Sequence, residues 1–96
     1  MPAVTLHLFG ALRDLAGYAS VQVDLSQAAT LDSLLTTAEA QHGGDLRRHV
    51  VDDDSPDINE GITVFVNSDN LRSHNGRHAS LKDGDDVVII MAAPGG

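Results

Sequence analysis

Ninety-six residues can enclose one hydrophobic core but not two, and a composition 42% hydrophobic but only 3% aromatic means that core is built from Val, Leu, Ile and Ala. Six Lys and Arg against fourteen Asp and Glu give a formal charge of -8, which argues against nucleic acid and anionic membrane as partners, since both are gripped by basic surface. Cysteine is absent, which excludes disulfides, thiolate zinc sites and a thiol nucleophile; any sulfur chemistry must use sulfur supplied from elsewhere.

No apolar run is long enough to span a bilayer and no basic-then-apolar leader opens the chain, so a cytoplasmic protein is expected. From Val4 the pattern alternates, with Val4, Leu6 and Leu8 on one parity and Thr5, His7 and Phe9 on the other, as in a half-buried strand. "GALRDLAG", residues 10–17, reads as a short helical turn or loop between glycines. Val21, Val23 and Leu25 then repeat the alternation, so the first two strands read as a hairpin. Thr30 can cap a helix whose apolar positions Leu31, Leu34, Leu35 and Ala38 share one face, with Asp32 in the first turn and Gly43 and Gly44 as the stop.

Residues 45–61 begin with a possible helical turn and continue as a polar loop around Pro56. In "ITVFVN" Ile62, Val64 and Val66 alternate with Thr63, Phe65 and Asn67, and "SDN" turns the chain into Leu71. An irregular stretch leads to Leu81, "KDGDD" is a turn signal, and the apolar run Val87–Ala92 closes the pattern as a central strand covered on more than one side. Strand, strand, helix, strand, minor strand, strand is the plan of an α+β, β-grasp (ubiquitin-like) fold: a mixed sheet of four to five strands with one main helix across one face. The domain should span residues 1–92, leaving 93–96 as a flexible tail.

These residues also carry a family likeness. A first strand ending in Phe9 before "ALRDLAG", a "T-L-x-x-L-L" helix, "V-N" closing the third main strand, and "L-K-D-G-D-D-V-V-I-I" running to a terminal Gly-Gly resemble the MoaD/ThiS family of ubiquitin-like sulfur carriers. The resemblance covers essentially the whole chain, and the closing block is its most specific part. Glycine is roughly 7% of average sequences, so a terminal Gly-Gly arises by chance only about 0.5% of the time. One departure marks the subfamily: Met91, Ala92, Ala93 and Pro94 precede the glycines, whereas the family tail commonly carries its proline earlier. The long loop before the third main strand and the "NSDNLRSHNG" stretch look more like the carriers of cysteine biosynthesis and the archaeal small modifiers than the shortest molybdopterin synthase subunits.

The resemblance implies that the chain is not an enzyme but the co-substrate of one. Its Gly96 would be adenylated by a ubiquitin-activating-type adenylyltransferase (MoeB/ThiF-like), which uses ATP, and then converted to a thiocarboxylate. No cofactor would be bound by the chain itself. The sulfur would pass to an acceptor resembling the molybdopterin synthase large subunit or a cysteine synthase, in molybdopterin, cysteine, thiamine or related biosynthesis. Gly95 would supply an extended backbone without a Cβ, and Pro94 would lower the entropy lost on threading. The alternative is a protein modifier joined through Gly96 to target lysines; Lys82, the only lysine, would then be the only side chain on which chains could grow. A binding module that has kept the fold without the chemistry is a third reading.

If Val4, Leu6, Leu8, Ile62, Val64 and Val66 face the helix, Phe9 and Phe65 fall on the outward parity, and Phe9, Phe65, Leu71, Ile90 and Pro94 become the candidate partner-binding residues. Other constellations are weaker. His74 and His78 lack a third zinc ligand, residues 52–57 lack the glycine and closing Glu of a calcium loop, and no nucleophile elbow surrounds a serine.

Overall fold

The computed structural model describes residues 3–25, 29–51, 58–70 and 78–91. Its elements are β1 (Ala3–Gly10), α1 (Ala11–Ala16), β2 (Ser20–Asp24), α2 (Leu31–His42), α3 (Arg47–Val50), β3 (Ile62–Val66), β4 (Asp69–Asn70) and β5 (Asp86–Met91). The five strands form one mixed sheet in the order β2-β1-β5-β3-β4. β5 runs parallel to β1 and antiparallel to β3, while β1–β2 and β3–β4 are antiparallel neighbours. This is the expected β-grasp plan.

The alternating positions become strands because one parity can be buried at once. Val4, Leu6 and Leu8 of β1, Val23 of β2, Val64 of β3, and Val87 and Ile89 of β5 are all buried, and they meet Leu31, Leu34, Leu35 and Ala38 of α2 in one core. Truncating any one of these leucines to alanine would cost about 2–5 kcal/mol, the transfer energy plus the cavity. Ile62 and Val66 pack on the rim of this core.

The start of α2 is held from three directions. Thr30 Oγ1 accepts from Ser33 N at 3.2 Å, Ser33 Oγ accepts from Thr30 N at 2.8 Å, and Leu31 N donates to Ala79 O at 3.0 Å. That is a capping box with Ser in place of the usual Glu, and it ties the helix to the segment entering β5. The helix ends at Gly43, whose N–H donates to Glu39 O. Glu39 does more: its carboxylate accepts from Leu46 N at 2.8 Å and Arg47 N at 3.0 Å, so a side chain of α2 caps the turn α3.

The "V-N" and "D-G-D" signatures are parts of one clamp. Asn67 Nδ2 donates to Asp85 Oδ1 at 2.8 Å and Asn67 Oδ1 accepts from Asp86 N at 2.9 Å. Asp85 Oδ2 accepts from Lys82 N at 2.8 Å, and Asp83 Oδ1 accepts from Ala3 N at 2.8 Å. The motif therefore fixes the start of β5 against both of its neighbours.

Two expectations need correction. The turn after β3 lies at Asn67 and Ser68, with φ of 52° and 77°, so Asp69 and Asn70 are already strand; two successive left-handed residues make the tight hairpin that fits strand twist. β5 is central, but among the described residues only one of its faces is covered. Val88 is half-buried and Ile90 is 37% exposed, because α2 packs against the other face.

Candidate functional site

Met91 ends β5 between two neighbours, opposite Gly10 of β1 and Ile62 of β3. Residues 92–96 continue from this point, so Pro94, Gly95 and Gly96, like Leu71, lie outside the described residues, as does the boundary expected at residue 92. Five extended residues carry the terminal carboxyl at most about 17 Å from the sheet. The approach of β1 to Met91 is close. Gly10 has φ 71°, and a Cβ there would run into the carbonyl oxygen of Met91.

The face opposite α2 can be built from the register. Phe9 lies beside Ile90, which lies beside Thr63; one row further from Met91, His7 lies beside Val88, which lies beside Phe65. Phe9 is 50% exposed, and Phe65 is only half-buried because β4 and β5 flank its strand. Three of the expected partner-binding residues, Phe9, Phe65 and Ile90, are thus gathered into one apolar surface that reaches the strand end from which the C-terminal residues continue. Val88 completes it and was legible as the residue two before Ile90 in "VVII". Leu15 of α1 is a further exposed apolar residue, at 40%.

His7 interrupts the polar side of this face. Its Nδ1 lies 3.3 Å from Ser20 Oγ on β2 and its Nε2 lies 3.6 Å from Asp86 Oδ1 on β5. The serine sits on a flat strand and not at a strand-to-helix turn, so the line lacks the geometry of an activated nucleophile.

Elsewhere the polar groups are tied to one another. Arg47 Nε lies 2.9 Å from Asp32 Oδ1, linking α3 to the first turn of α2 beside an open cleft of about 370 Å³ that His78 also lines. Asp45 is held below the ordinary carboxylate range first by its hydrogen bond from Arg48 and also by His49. The O–H of Tyr18 is buried with no partner among the described residues. Among those residues no group of three or more His, Asp and Glu is placed to hold a metal, and no helix is long and apolar enough to cross a membrane.

Comparison with known proteins places these features in a family. The family model described as "ThiS family" matches residues 6–96, through the terminal glycines. The sulfur carrier protein CysO of Mycobacterium tuberculosis is 29% identical over 68 residues, 70% of this chain and 72% of that protein. Among solved structures, a chain of the Amycolatopsis orientalis BexX/CysO complex is 30% identical with a TM-score of 0.73, the match covering 97% of this chain and 99% of that one. SAMP1 of Haloferax volcanii, at 23% identity and a TM-score of 0.75 over 98% of this chain and 99% of its own, shares the fold.

Proposed function

The chain belongs to the ThiS family of sulfur carriers, and we propose that its C-terminal Gly96 is the group on which sulfur is carried. The observation behind this reading is the position of β5: a central strand ends at Met91, five residues before Gly96 in the sequence, beside the open row Phe9, Ile90, Val88 and Phe65. A domain of this kind is the substrate of its partners and works by presenting one carboxylate.

The chemistry is that of an activated acyl group. A carboxylate oxygen of Gly96 attacks the α-phosphorus of ATP in an adenylyltransferase of the MoeB/ThiF type, the α–β phosphoanhydride bond breaks and pyrophosphate leaves. The terminal sulfur of a persulfide then attacks the acyl carbon and expels AMP, forming an acyl disulfide. A second thiol cleaves its S–S bond, leaving the thiocarboxylate on Gly96 and the two thiols joined as a disulfide. With no cysteine of its own, the chain must receive both thiols from partners.

The apolar row is the surface on which those partners dock. Burial of apolar area supplies affinity, and the row adjoins Met91, from which five residues reach at most about 17 Å. The BexX/CysO complex of A. orientalis supports an acceptor enzyme as one of the partners. Likeness to a CysO supports cysteine biosynthesis, with molybdopterin or thiamine synthesis as the other destinations of the same chemistry. The reaction is assigned to the cytoplasm.

Intact mass of the chain co-expressed with its activating enzyme tests the reading. The expected result is a gain equal to one sulfur replacing one oxygen, lost when Gly96 is deleted. Target proteins carrying a Gly-Gly remnant on lysine, without that gain, would instead make the chain a protein modifier. An unchanged mass and no conjugates would refute both.

A further inference from the structure

We propose that Asp86 is a specificity-determining residue of the open sheet face: it selects a protein partner whose surface sets a cationic side chain, Lys or Arg, beside an apolar patch. The inference rests on the reading that partners dock on this face, and it names the chemistry by which a partner is accepted.

The strand register fixes the layout. Odd-numbered residues of β1 and even-numbered residues of β5 share the outward face, so Asp86 lies beside Thr5, Val88 beside His7 and Ile90 beside Phe9. Two residues along a strand span about 7 Å, which places Asp86 about that distance from Val88. Strands disfavour Asp, yet this one begins the central strand of the sheet.

Its neighbours in sequence are consumed by the fold, and Asp86 is not. Asp83 Oδ1 accepts from Ala3 N, and Asp85 accepts from Asn67 Nδ2 and Lys82 N. Among the described residues the Asp86 carboxylate accepts no hydrogen bond. Its nearest charged or ring group is His7 Nε2 at 3.6 Å, beyond hydrogen-bond length, and the other ring nitrogen of His7 lies 3.3 Å from Ser20 Oγ. The Asp86 side chain is 63% exposed, so in the free chain water fills its acceptor sites.

Docking changes that balance. A partner that dries Val88 and Ile90 comes within a side chain's length of Asp86, and a carboxylate stripped of water without a counter-charge opposes association. A cationic side chain opposite it reverses the sign, whereas an acidic or wholly apolar margin is rejected. The net charge of -8 attracts a basic surface from a distance in any orientation. A pair at Asp86 requires one orientation, with the apolar row against the partner's apolar patch.

The test is calorimetric titration of the full-length chain into an adenylating enzyme of the same organism, at about 50 and about 300 mM NaCl. Four chains are compared: native, Asp86→Asn, Asp86→Lys and Ala40→Lys. Asp86→Asn and Ala40→Lys each raise the net charge by one unit, but Ala40 is exposed on α2, which packs on the opposite side of the sheet. Asp86→Asn is expected to raise Kd about tenfold at low salt and less at high salt, and Asp86→Lys about a hundredfold, while Ala40→Lys changes it less than about threefold. A native Kd in Asp86→Asn would leave the carboxylate wet at the rim and overturn the proposal. An equal loss in Ala40→Lys would reduce the effect to long-range attraction and overturn it as well. If Phe9→Ser weakens binding and Asp86→Asn does not, the docking face stands and the selection by Asp86 falls. Absence of binding by the native chain overturns the docking reading itself, and this proposal with it, before any variant is compared.

Discussion

Asn67→Ala should destabilise the domain by about 3 kcal/mol, and the figure can be assembled from its contacts. Asn67 Nδ2 donates to Asp85, whose side chain is nearly buried, with the residue 9% exposed. Losing a hydrogen bond to such a carboxylate costs about 1.5–3 kcal/mol. The second bond, from Asp86 N to Asn67 Oδ1, adds less, since Asp86 is at the surface and water can replace the acceptor. Alanine must also adopt φ 52°, which costs it about 1 kcal/mol more than asparagine or glycine. Asn67→Gly removes the same hydrogen bonds without that strain, so it should lose about 2 kcal/mol. Against a total of about 5–14 kcal/mol for a domain of this size, both losses are large; each kcal/mol lowers Tm by about 4–8 °C. Urea unfolding followed by far-UV circular dichroism at pH 7 measures both. If both variants lose less than about 1 kcal/mol, Asn67 does not clamp β5; if alanine and glycine lose the same, the left-handed strain is absent.

Two other substitutions probe the open face and the orphaned hydroxyl. Phe9→Ser should lower stability by about 1 kcal/mol, since Phe9 is 50% exposed and half of the roughly 1.5–3 kcal/mol of a buried Phe is already realised in the fold, and should raise KM for an activating enzyme about tenfold through the half still available for docking; a native KM would remove Phe9 from the proposed docking surface. Tyr18, the only tyrosine, has its phenol raised above 10.0, first by burial and then by the negative charge of Glu39. The folded state therefore keeps its proton to higher pH than the unfolded chain, and this contribution, complete below pH 10, is lost as pH rises through 10 towards the folded value. Tyr18→Phe should be neutral or stabilising by up to about 1 kcal/mol at pH 7, because the hydroxyl has no partner to lose among the described residues, and should show a shallower loss of urea midpoint between pH 9 and pH 11. A clear loss at pH 7 would mean that the hydroxyl is satisfied.

The regular elements were legible because their reasons are local. The two-residue alternation of β1 and β3 and the stripe Leu31, Leu34, Leu35 and Ala38 state which atoms leave water, and Thr30 states where the helix begins. Contacts that couple distant residues were not legible: Ala79 capping Leu31, Glu39 capping Arg47, and Gly10 lying against Met91 all depend on the folded topology. The error over β5 has a further cause. The run Val87–Ala92 predicts a strand covered on more than one side, but an apolar residue left open on a sheet face has the same composition as one already in the core. Periodicity separates the two parities of a strand and cannot say whether the second is covered by the same chain or another.

The central strand also joins two chemically different ends. β5 starts where Asp24, Asp69, Asp83, Asp85 and Asp86 gather with Lys82, and it finishes at Met91 between Gly10 and Ile62, beside Phe9 and Ile90. On the outward face Asp86 lies two residues before Val88 and pairs with His7, so the apolar row Val88, Ile90 and Phe9 begins beside a carboxylate and runs from it towards Met91. At the acidic end charge remains in water, where its field can orient the whole domain towards a basic partner before contact. The clamp by Asn67 and Asp85 holds one end of the strand, and the Gly10–Met91 approach constrains the other. Between them lies a run of parallel and antiparallel ladders that neither end can shift alone. A free C-terminus attached to an edge strand would inherit that edge's fraying. Attached to the middle strand, the point from which residues 92–96 continue is held by two neighbours, Gly10 and Ile62.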